Sequence, residues 1–390
     1  MRRRAATERS RVLLVLTYFR PHVSGLTIYV DRLARELAER GHSVTVLTSR
    51  YDRSLPAEEI VDGVRIVRVP VFARISKGVV MPIMIWALRE ARHHDVVSIH
   101  LPQFDGAAVA LSSRLFRKPT VLTYHCDLRL PKGVVNRVAD AVVFSMNYLA
   151  ALLSHRIVAY TQDYADHSGL LRRFPSKICV IPPPVIMPPA ARADIDAFRS
   201  RHRVAGGPVV GSAARVATEK GIEFLVDAMP TLIERHPDLR VLFAGQFVDV
   251  VGESHYWDML EPRIRALGDR WTFLGVLQPE EMPAFYSAVD VLVVSSVNST
   301  ESFGLVQVEA MFSGTPVVAT DLPGVRQPVM TTGMGVVVPA RDAAAIADAV
   351  TEVLTHADRY TRPRGEIEAR FDLSATVDSY ERLFEELSSG

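Results

Sequence analysis

Arg215 and Lys220 share one short stretch, Gly211-Ser212-Ala213-Ala214-Arg215-Val216-Ala217-Thr218-Glu219-Lys220-Gly221, which reads as strand, loop and helix start. Cations are misplaced at a helix N-terminus, where the dipole prefers acids. An anion bound between them removes the conflict; taken by itself, the stretch reads equally well as a solvated charge pair. A second stretch runs Glu301-Ser302-Phe303-Gly304-Leu305-Val306-Gln307-Val308-Glu309. It offers a carboxylate just before a helix, backbone N–H groups at the helix start, and a second carboxylate about two turns on. Helical spacing puts Glu309 roughly 80° round from Glu301, so both can face one ligand. Glu301 suits sugar hydroxyls, Glu309 suits ribose hydroxyls, and the N–H groups between them suit phosphate. Small Gly304 beside Phe303 speaks against an exposed helix with incidental acids.

Two further positions have weaker chemistry. In Val121-Leu122-Thr123-Tyr124-His125-Cys126-Asp127 a strand ends in a histidine, where a neutral imidazole can hydrogen-bond a sugar hydroxyl or simply serve the core. His100 ends its strand in the same way, and there the structural role is favoured. Ser24-Gly25 lies between the first strand and a helix over 28–39; Gly25 would let backbone approach a phosphate, or it is a plain turn glycine. No GxGxxG or Walker A pattern accompanies it.

The elements that must position these residues alternate strand and helix. Short β-branched runs at 12–17, 44–48, 64–69, 95–100, 120–124, 157–160 and 178–181 are separated by segments of helical period. Unbroken apolar runs such as Val12-Leu13-Leu14-Val15-Leu16 suit strands covered on both faces, hence a parallel, doubly wound sheet. The proline-rich run 182–189 cannot continue a central strand and marks a linker. A second series follows at 209–212, 241–244, 272–274, 291–294, 317–319 and 336–338. The expected fold is α/β: two facing Rossmann-like domains, 1–187 and 188–372, with a cleft outside the strands' carboxyl ends. The amphipathic segment 373–390 is expected to pack back on the first domain.

Composition bounds the function. The chain has 390 residues, 48% hydrophobic and 23% charged, which excludes disorder and favours two domains. Cys126 and Cys179 lack disulfide or zinc spacing and fit a reducing cytosol. The start, Met1 to Arg4, resembles a signal peptide's charged end, but the apolar run after it is short and reads as a first strand. Neither of the longest apolar runs, 78–88 and 138–153, reaches the ~20 apolar residues of a spanning helix. Residues 1–190 carry 27 Lys+Arg against 15 Asp+Glu, or +12, and the remainder carries 18 against 29, or −11. A basic first half points to phosphates or an anionic surface on one side. Arg74, Lys77, Arg89 and Arg92 flank the first apolar run and Lys132, Arg137 and Arg156 the second, so peripheral contact with an anionic membrane is expected, against the alternative that both runs are buried helices. Nothing suggests nucleic acid as a partner.

The ordered set Gly25, His125, Arg215, Lys220 and Glu301 to Glu309, followed by Ala310-Met311 and Gly314-Thr315-Pro316-Val317-Val318, resembles the retaining glycosyltransferases of family 4, with the GT-B fold. The resemblance covers about 12–340. It implies a nucleotide diphosphate sugar bound mainly on the second domain, as substrate rather than cofactor, and an acceptor on the first, lipid-linked where the membrane reading holds. By resemblance, Arg215 and Lys220 neutralise the leaving diphosphate and Gly25 offers it backbone. Glu301, with the backbone of Ser302, Phe303 and Gly304, fixes the sugar; Leu305 and Val306 contact phosphate, Glu309 the ribose, Val276 the base, and His125 the sugar from the opposite wall. The family often has Gly-Gly where Ser24-Gly25 stands, and Asn-Gly-Val where Pro183-Pro184-Val185 stands. No metal is expected, because the Asp-x-Asp string Asp194-Ile195-Asp196 lies in a helical segment, away from any strand end. A dehydrogenase would need GxGxxG, and a glycan phosphorylase a pyridoxal phosphate lysine and a longer chain. The other reading is a catalytically idle nucleotide-sugar sensor or partner subunit.

Overall fold

The computed structural model describes residues 9–75, 78–128, 134–202, 204 and 206–388. The chain divides into two compact units, Met1–Pro184 with Asp372–Gly390, and Val185–Phe371. The join thus falls before Val185 rather than after Met187. Met187 lies in the second unit, where its carbonyl accepts the Arg364 guanidinium.

The first unit holds an eight-stranded sheet. Its strands are β1 (Arg11–Val15), β2 (Ser43–Arg50), β3 (Glu58–Val61), β4 (Val64–Pro70), β7 (Val96–Leu101), β8 (Thr120–Tyr124), β9 (Arg156–Ala159) and β10 (Ile178–Val180), in the order β10-β9-β8-β7-β1-β2-β4-β3. A separate antiparallel pair is formed by β5 (Ala73–Ile75) and β6 (Gly78–Val80). Every neighbouring pair of the large sheet is parallel except β3 with β4. All residues of β7 and β8 are buried, as helices on both faces require of a parallel sheet.

Two elements differ from the sequence expectation. Strand β3 was not anticipated, although the Asp62-Gly63 pair between it and β4 has positive φ at both residues (52° and 77°), the conformation of a tight hairpin turn. The run 78–88 is no single element: it divides between β6 and helix Ile83–Ala91. Its flanking Lys77, and Lys132 beside the second run, lie outside the described residues. The terminal helix Leu373–Ser388 belongs to the first unit and buries Val377, Tyr380, Leu383 and Phe384. Tyr380 Oη lies 2.7 Å from Tyr29 Oη and 2.8 Å from Thr123 Oγ1. Arg40 adds ion pairs to Asp378 and Glu381.

The second unit has six parallel strands, β11 (Val209–Ala213), β12 (Arg240–Ala244), β13 (Trp271–Gly275), β14 (Val291–Val294), β15 (Val317–Thr320) and β16 (Gly335–Val338), ordered β13-β12-β11-β14-β15-β16. Its core joins β-branched residues of these strands to Leu225, Met229, Leu260 and Val350 of the flanking helices. The chain winds outwards from β11 in one direction and from β14 in the other. Ligands in such sheets bind outside the carboxyl ends at this reversal.

Candidate active site

In the second unit the reversal point brings two loops together. One follows β11 and carries Arg215, then the tight turn Thr218–Lys220; the other follows β14 and carries Ser295 to Glu301. Their backbones are tied, since Ser295 Oγ donates to the Lys220 carbonyl at 2.9 Å and Val297 N–H donates to the Glu219 carbonyl at 3.0 Å. Gly221, at φ 58°, must be glycine: any Cβ there would collide with the Ser295 carbonyl.

Both cations are matched with acids. Lys220 Nζ pairs with Glu301 Oε2, with a quarter or less of each side chain exposed. Arg215 pairs with Glu219, which is mostly buried. Burial alone would raise the Glu219 carboxyl; Arg215 overcomes it and holds the pKa below the usual value. The turn that looked cationic in the sequence therefore has a carboxylate for each cation.

The helix after Glu301 begins at Leu305 and runs to Phe312, because Gly304 adopts φ 75° and breaks the backbone there. Glu301 and Glu309 therefore do not share a helix face, and the 80° relation between them does not apply. Glu301 reaches the helix start another way: its Oε1 accepts the Gly304 N–H at 3.0 Å. Glu309 is buried and accepts the Tyr286 hydroxyl at 3.0 Å. Ser302 and Phe303 are buried, while Leu305 and Val306 in the first helical turn are partly exposed. Gln307, not singled out from sequence, is fully buried, and its Nε2 donates at 2.9 Å to both the Phe303 and Val325 carbonyls. A Cβ at 304 would come within 2.6 Å of that nitrogen, so Gly304 and Gln307 are packed as a pair. Val276 follows β13 and is 64% exposed.

Two family models match the chain: Glycosyltransferase Family 4 over residues 23–186, and Glycosyl transferases group 1 over residues 207–356. The chain is 30% identical to the 2-deoxystreptamine N-acetyl-D-glucosaminyltransferase of Streptomyces fradiae, across 87% of this chain and 85% of that one. It is also 30% identical to the D-inositol 3-phosphate glycosyltransferase of Acidothermus cellulolyticus, across 91% and 84%. The chain belongs to glycosyltransferase family 4. Its fold is that of the GT-B structures: TM-score 0.79 to the sucrose-phosphate synthase of Thermosynechococcus elongatus at 22% identity, covering 98% of this chain and 100% of that one. The Anabaena HepE complex with UDP-glucose gives 0.77 at 19% identity, over 98% and 100%.

In the first unit of this glycosyltransferase, Gly25 opens helix Gly25–Glu39, capped by Ser24 Oγ accepting the Thr27 N–H at 3.2 Å. A Cβ at position 25 would meet nothing within 4 Å. His125 follows β8, and its ring differs from the sequence expectation of a nitrogen left for a sugar hydroxyl. Strands β7, β8 and β9 are neighbours, so their ends place His100, His125 and Tyr160 side by side. His125 Nε2 lies 3.0 Å from His100 Nδ1, and Nδ1 contacts the Tyr160 hydroxyl. Burial, then the neighbouring His100, which would repel a second positive ring, pushes His125 well below the usual histidine range; burial alone takes His100 to about 3. Both rings are neutral at pH 7.

The loop after β7 adds groups that no motif announced. Gln103 is buried, and neither its amide oxygen nor its nitrogen has a partner among the described residues. Asp105 stands at the start of helix Gly106–Leu115 without capping it; both carboxylate oxygens are buried and unpartnered, and burial raises its pKa to about 7. Asp194 and Asp196 lie on helix Arg192–Arg201, with Asp196 paired to Arg192. Cys126 and Cys179 are free thiols.

Proposed function

We propose that this family 4 glycosyltransferase moves a hexose from a nucleoside diphosphate sugar, with UDP or GDP as carrier, to an acceptor hydroxyl, keeping the anomeric configuration and using no metal ion. The observation that carries this reading is the Lys220–Glu301 pair at the reversal point of the second sheet, beside the start of helix Leu305–Phe312. A cation and a hydroxyl-accepting carboxylate held together match a donor that is diphosphate at one end and polyol at the other. That Anabaena HepE is solved with UDP and with UDP-glucose supports the same donor class.

In the reaction the bond from the anomeric carbon to the diphosphate breaks as the acceptor oxygen forms its bond on the same face, and a phosphate oxygen takes the acceptor's proton. Charge grows on the departing diphosphate, so Arg215 and Lys220 supply the largest stabilisation. Gly25, Leu305 and Val306 offer backbone to the phosphates. Glu301 and the backbone at Ser302, Phe303 and Gly304 orient the sugar, Glu309 the ribose and Val276 the base. His125, with both ring nitrogens engaged, shapes the wall behind the sugar instead of supplying a free nitrogen. A thermal-shift series with UDP, GDP and ADP tests the donor site: a ligand at 100 times its Kd adds about 2.7 kcal/mol. If no nucleotide stabilises the protein, the reading fails.

For the acceptor, the favoured class is amphiphilic or lipid-linked, presented at an anionic membrane. No helix among the described residues is long and apolar enough to cross a membrane. Helix Val134–Leu153, however, leaves Val138, Phe144, Leu149 and Leu152 exposed, and helix Gly106–Leu115 leaves Leu111 and Leu115 exposed. Arg114 lies in the last turn of the latter helix, and Arg117 and Arg156 follow the two helices closely in the chain, as a peripheral surface that meets acidic lipid requires.

A further inference from the structure

We infer that Glu253 is the positioning residue for Lys220, acting through Thr218. The inference rests on Lys220 serving the donor phosphates. Glu253 stands at the end of the loop after β12 and directly precedes helix Ser254–Arg265. An accepting side chain at the N-cap position, most often Ser, Thr, Asp or Asn, ordinarily caps its own helix. Glu253 does not: its side chain makes no capping bond, and Oε2 instead accepts both the N–H and the hydroxyl of Thr218, at 3.0 and 2.7 Å.

Glu253 is only 5% exposed. A buried carboxylate is costly unless donors satisfy it, so its placement against this turn commits two donors of one residue to it. Thr218 opens the three-residue turn that ends at Lys220. The next two carbonyls, of Glu219 and Lys220, are taken by Val297 N–H and Ser295 Oγ. Each residue of the turn is therefore fixed by a different group, and the two strands flanking β11 supply them: the β12 loop holds the first residue and the β14 loop holds the other two. The Lys220 ammonium sits at the end of a long side chain with many rotamers. Only a rigid backbone turn keeps it aimed at one place, and removing the Glu253 contact releases the first residue of the turn, leaving the turn's own residues held only by the β14 loop while Val216 before it stays bonded to the Gln246 carbonyl.

The test uses the full chain and whichever of UDP, GDP and ADP binds the wild type most tightly by calorimetry. Glu253→Ala should weaken that nucleotide about tenfold, while Glu253→Gln, which keeps an acceptor oxygen, stays within about threefold. Thr218→Ser should behave as wild type and Thr218→Val as Glu253→Ala. Because Glu253 acts through the lysine, its loss should cost nothing further in a Lys220→Ala background. All measurements are made well below the melting temperature of each variant, so loss of folded protein cannot imitate the effect. Undiminished affinity in folded Glu253→Ala, or full additivity with Lys220→Ala, overturns the inference while leaving the donor reading intact. If instead Lys220→Ala itself binds nucleotide like the wild type, the donor reading and this inference fall together. Should Glu253→Ala not fold, folded Thr218→Val decides the matter by the same two criteria.

Discussion

Lys220 Nζ is held by Glu301 Oε2, and the other oxygen of the same carboxylate accepts the Gly304 N–H at 3.0 Å. One acid thus fastens the lysine of the first loop to the residue that opens helix Leu305–Phe312. If the donor diphosphate binds at Lys220 as proposed, it competes with Glu301 for the ammonium. The oxygen it frees can then accept a sugar hydroxyl. Donor binding, on this view, exchanges one internal ion pair for two contacts with the ligand.

The cations come first. Lys220→Ala and Arg215→Ala should each lower turnover more than tenfold with the fold intact, since a cation aimed at developing leaving-group charge is typically worth about 3 kcal/mol in the transition state. Steady-state kinetics beside thermal melts make the check. Unchanged kcat in both variants would remove these residues from the site.

The exchange of partners makes a less obvious prediction. Glu301→Gln should lose turnover yet bind the preferred nucleoside diphosphate at least as tightly as the wild type, because the ammonium no longer has a competing carboxylate. Calorimetry with the free nucleotide reads this directly. A severalfold loss of affinity would mean that Glu301 orients Lys220 for phosphate instead of competing with it.

Metal and stereochemistry can be tested in one reaction. With two protein cations assigned to the diphosphate, activity should persist in EDTA, and NMR of the product from an α-linked donor should show an α-linkage. Activity that vanishes with EDTA and returns with Mn²⁺ or Mg²⁺ contradicts the first expectation, and a β-product contradicts the second.

Asp105 sets a pH dependence. Its folded pKa, about 7, is raised from 3.8 by burial. A raised pKa leaves the fold unpenalised below the unfolded value; stability is lost as pH climbs from there through the folded value, so the cost of the buried carboxylate grows between about pH 4 and 7 and is complete above 7. Asp105→Asn should therefore melt higher than the wild type at pH 8, by roughly 2–4 °C or more, with the gain shrinking towards pH 4. A gain of equal size at both pH values would show that the carboxylate's charge is not its source.

Liposome flotation addresses the surface of the first unit. Binding should require anionic lipid, weaken as salt rises, and fall when Leu149 and Leu152 on the exposed face of helix Val134–Leu153 are replaced by Ser. A protein that ignores anionic vesicles at low salt and glycosylates a small soluble acceptor efficiently has no membrane role.

What the sequence determined by itself was local or nearly so. Short β-branched runs between turn residues marked every parallel strand of both sheets, because a strand covered on two faces needs little distant information to be recognised. The family was legible from Arg215, Lys220 and the 301–318 stretch. The short edge strand Glu58–Val61 escaped notice because its alternation is weak, although Asp62-Gly63 announced the turn. The start of helix Leu305–Phe312 lies later than local spacing suggests because Gly304 takes a left-handed backbone conformation just before it.

Only the tertiary structure decided who meets whom. Lys220 and Glu301 stand 81 residues apart in the chain, and they pair because β11 and β14 are neighbours at the reversal of the sheet. His100, His125 and Tyr160 engage one another because β7, β8 and β9 run side by side, and Tyr380 reaches Thr123 across 257 residues because the terminal helix returns to the first unit. An ion pair or a buried hydrogen bond depends on ångström distances between side chains. Those distances follow from strand order and helix packing, which no local spacing of residues encodes.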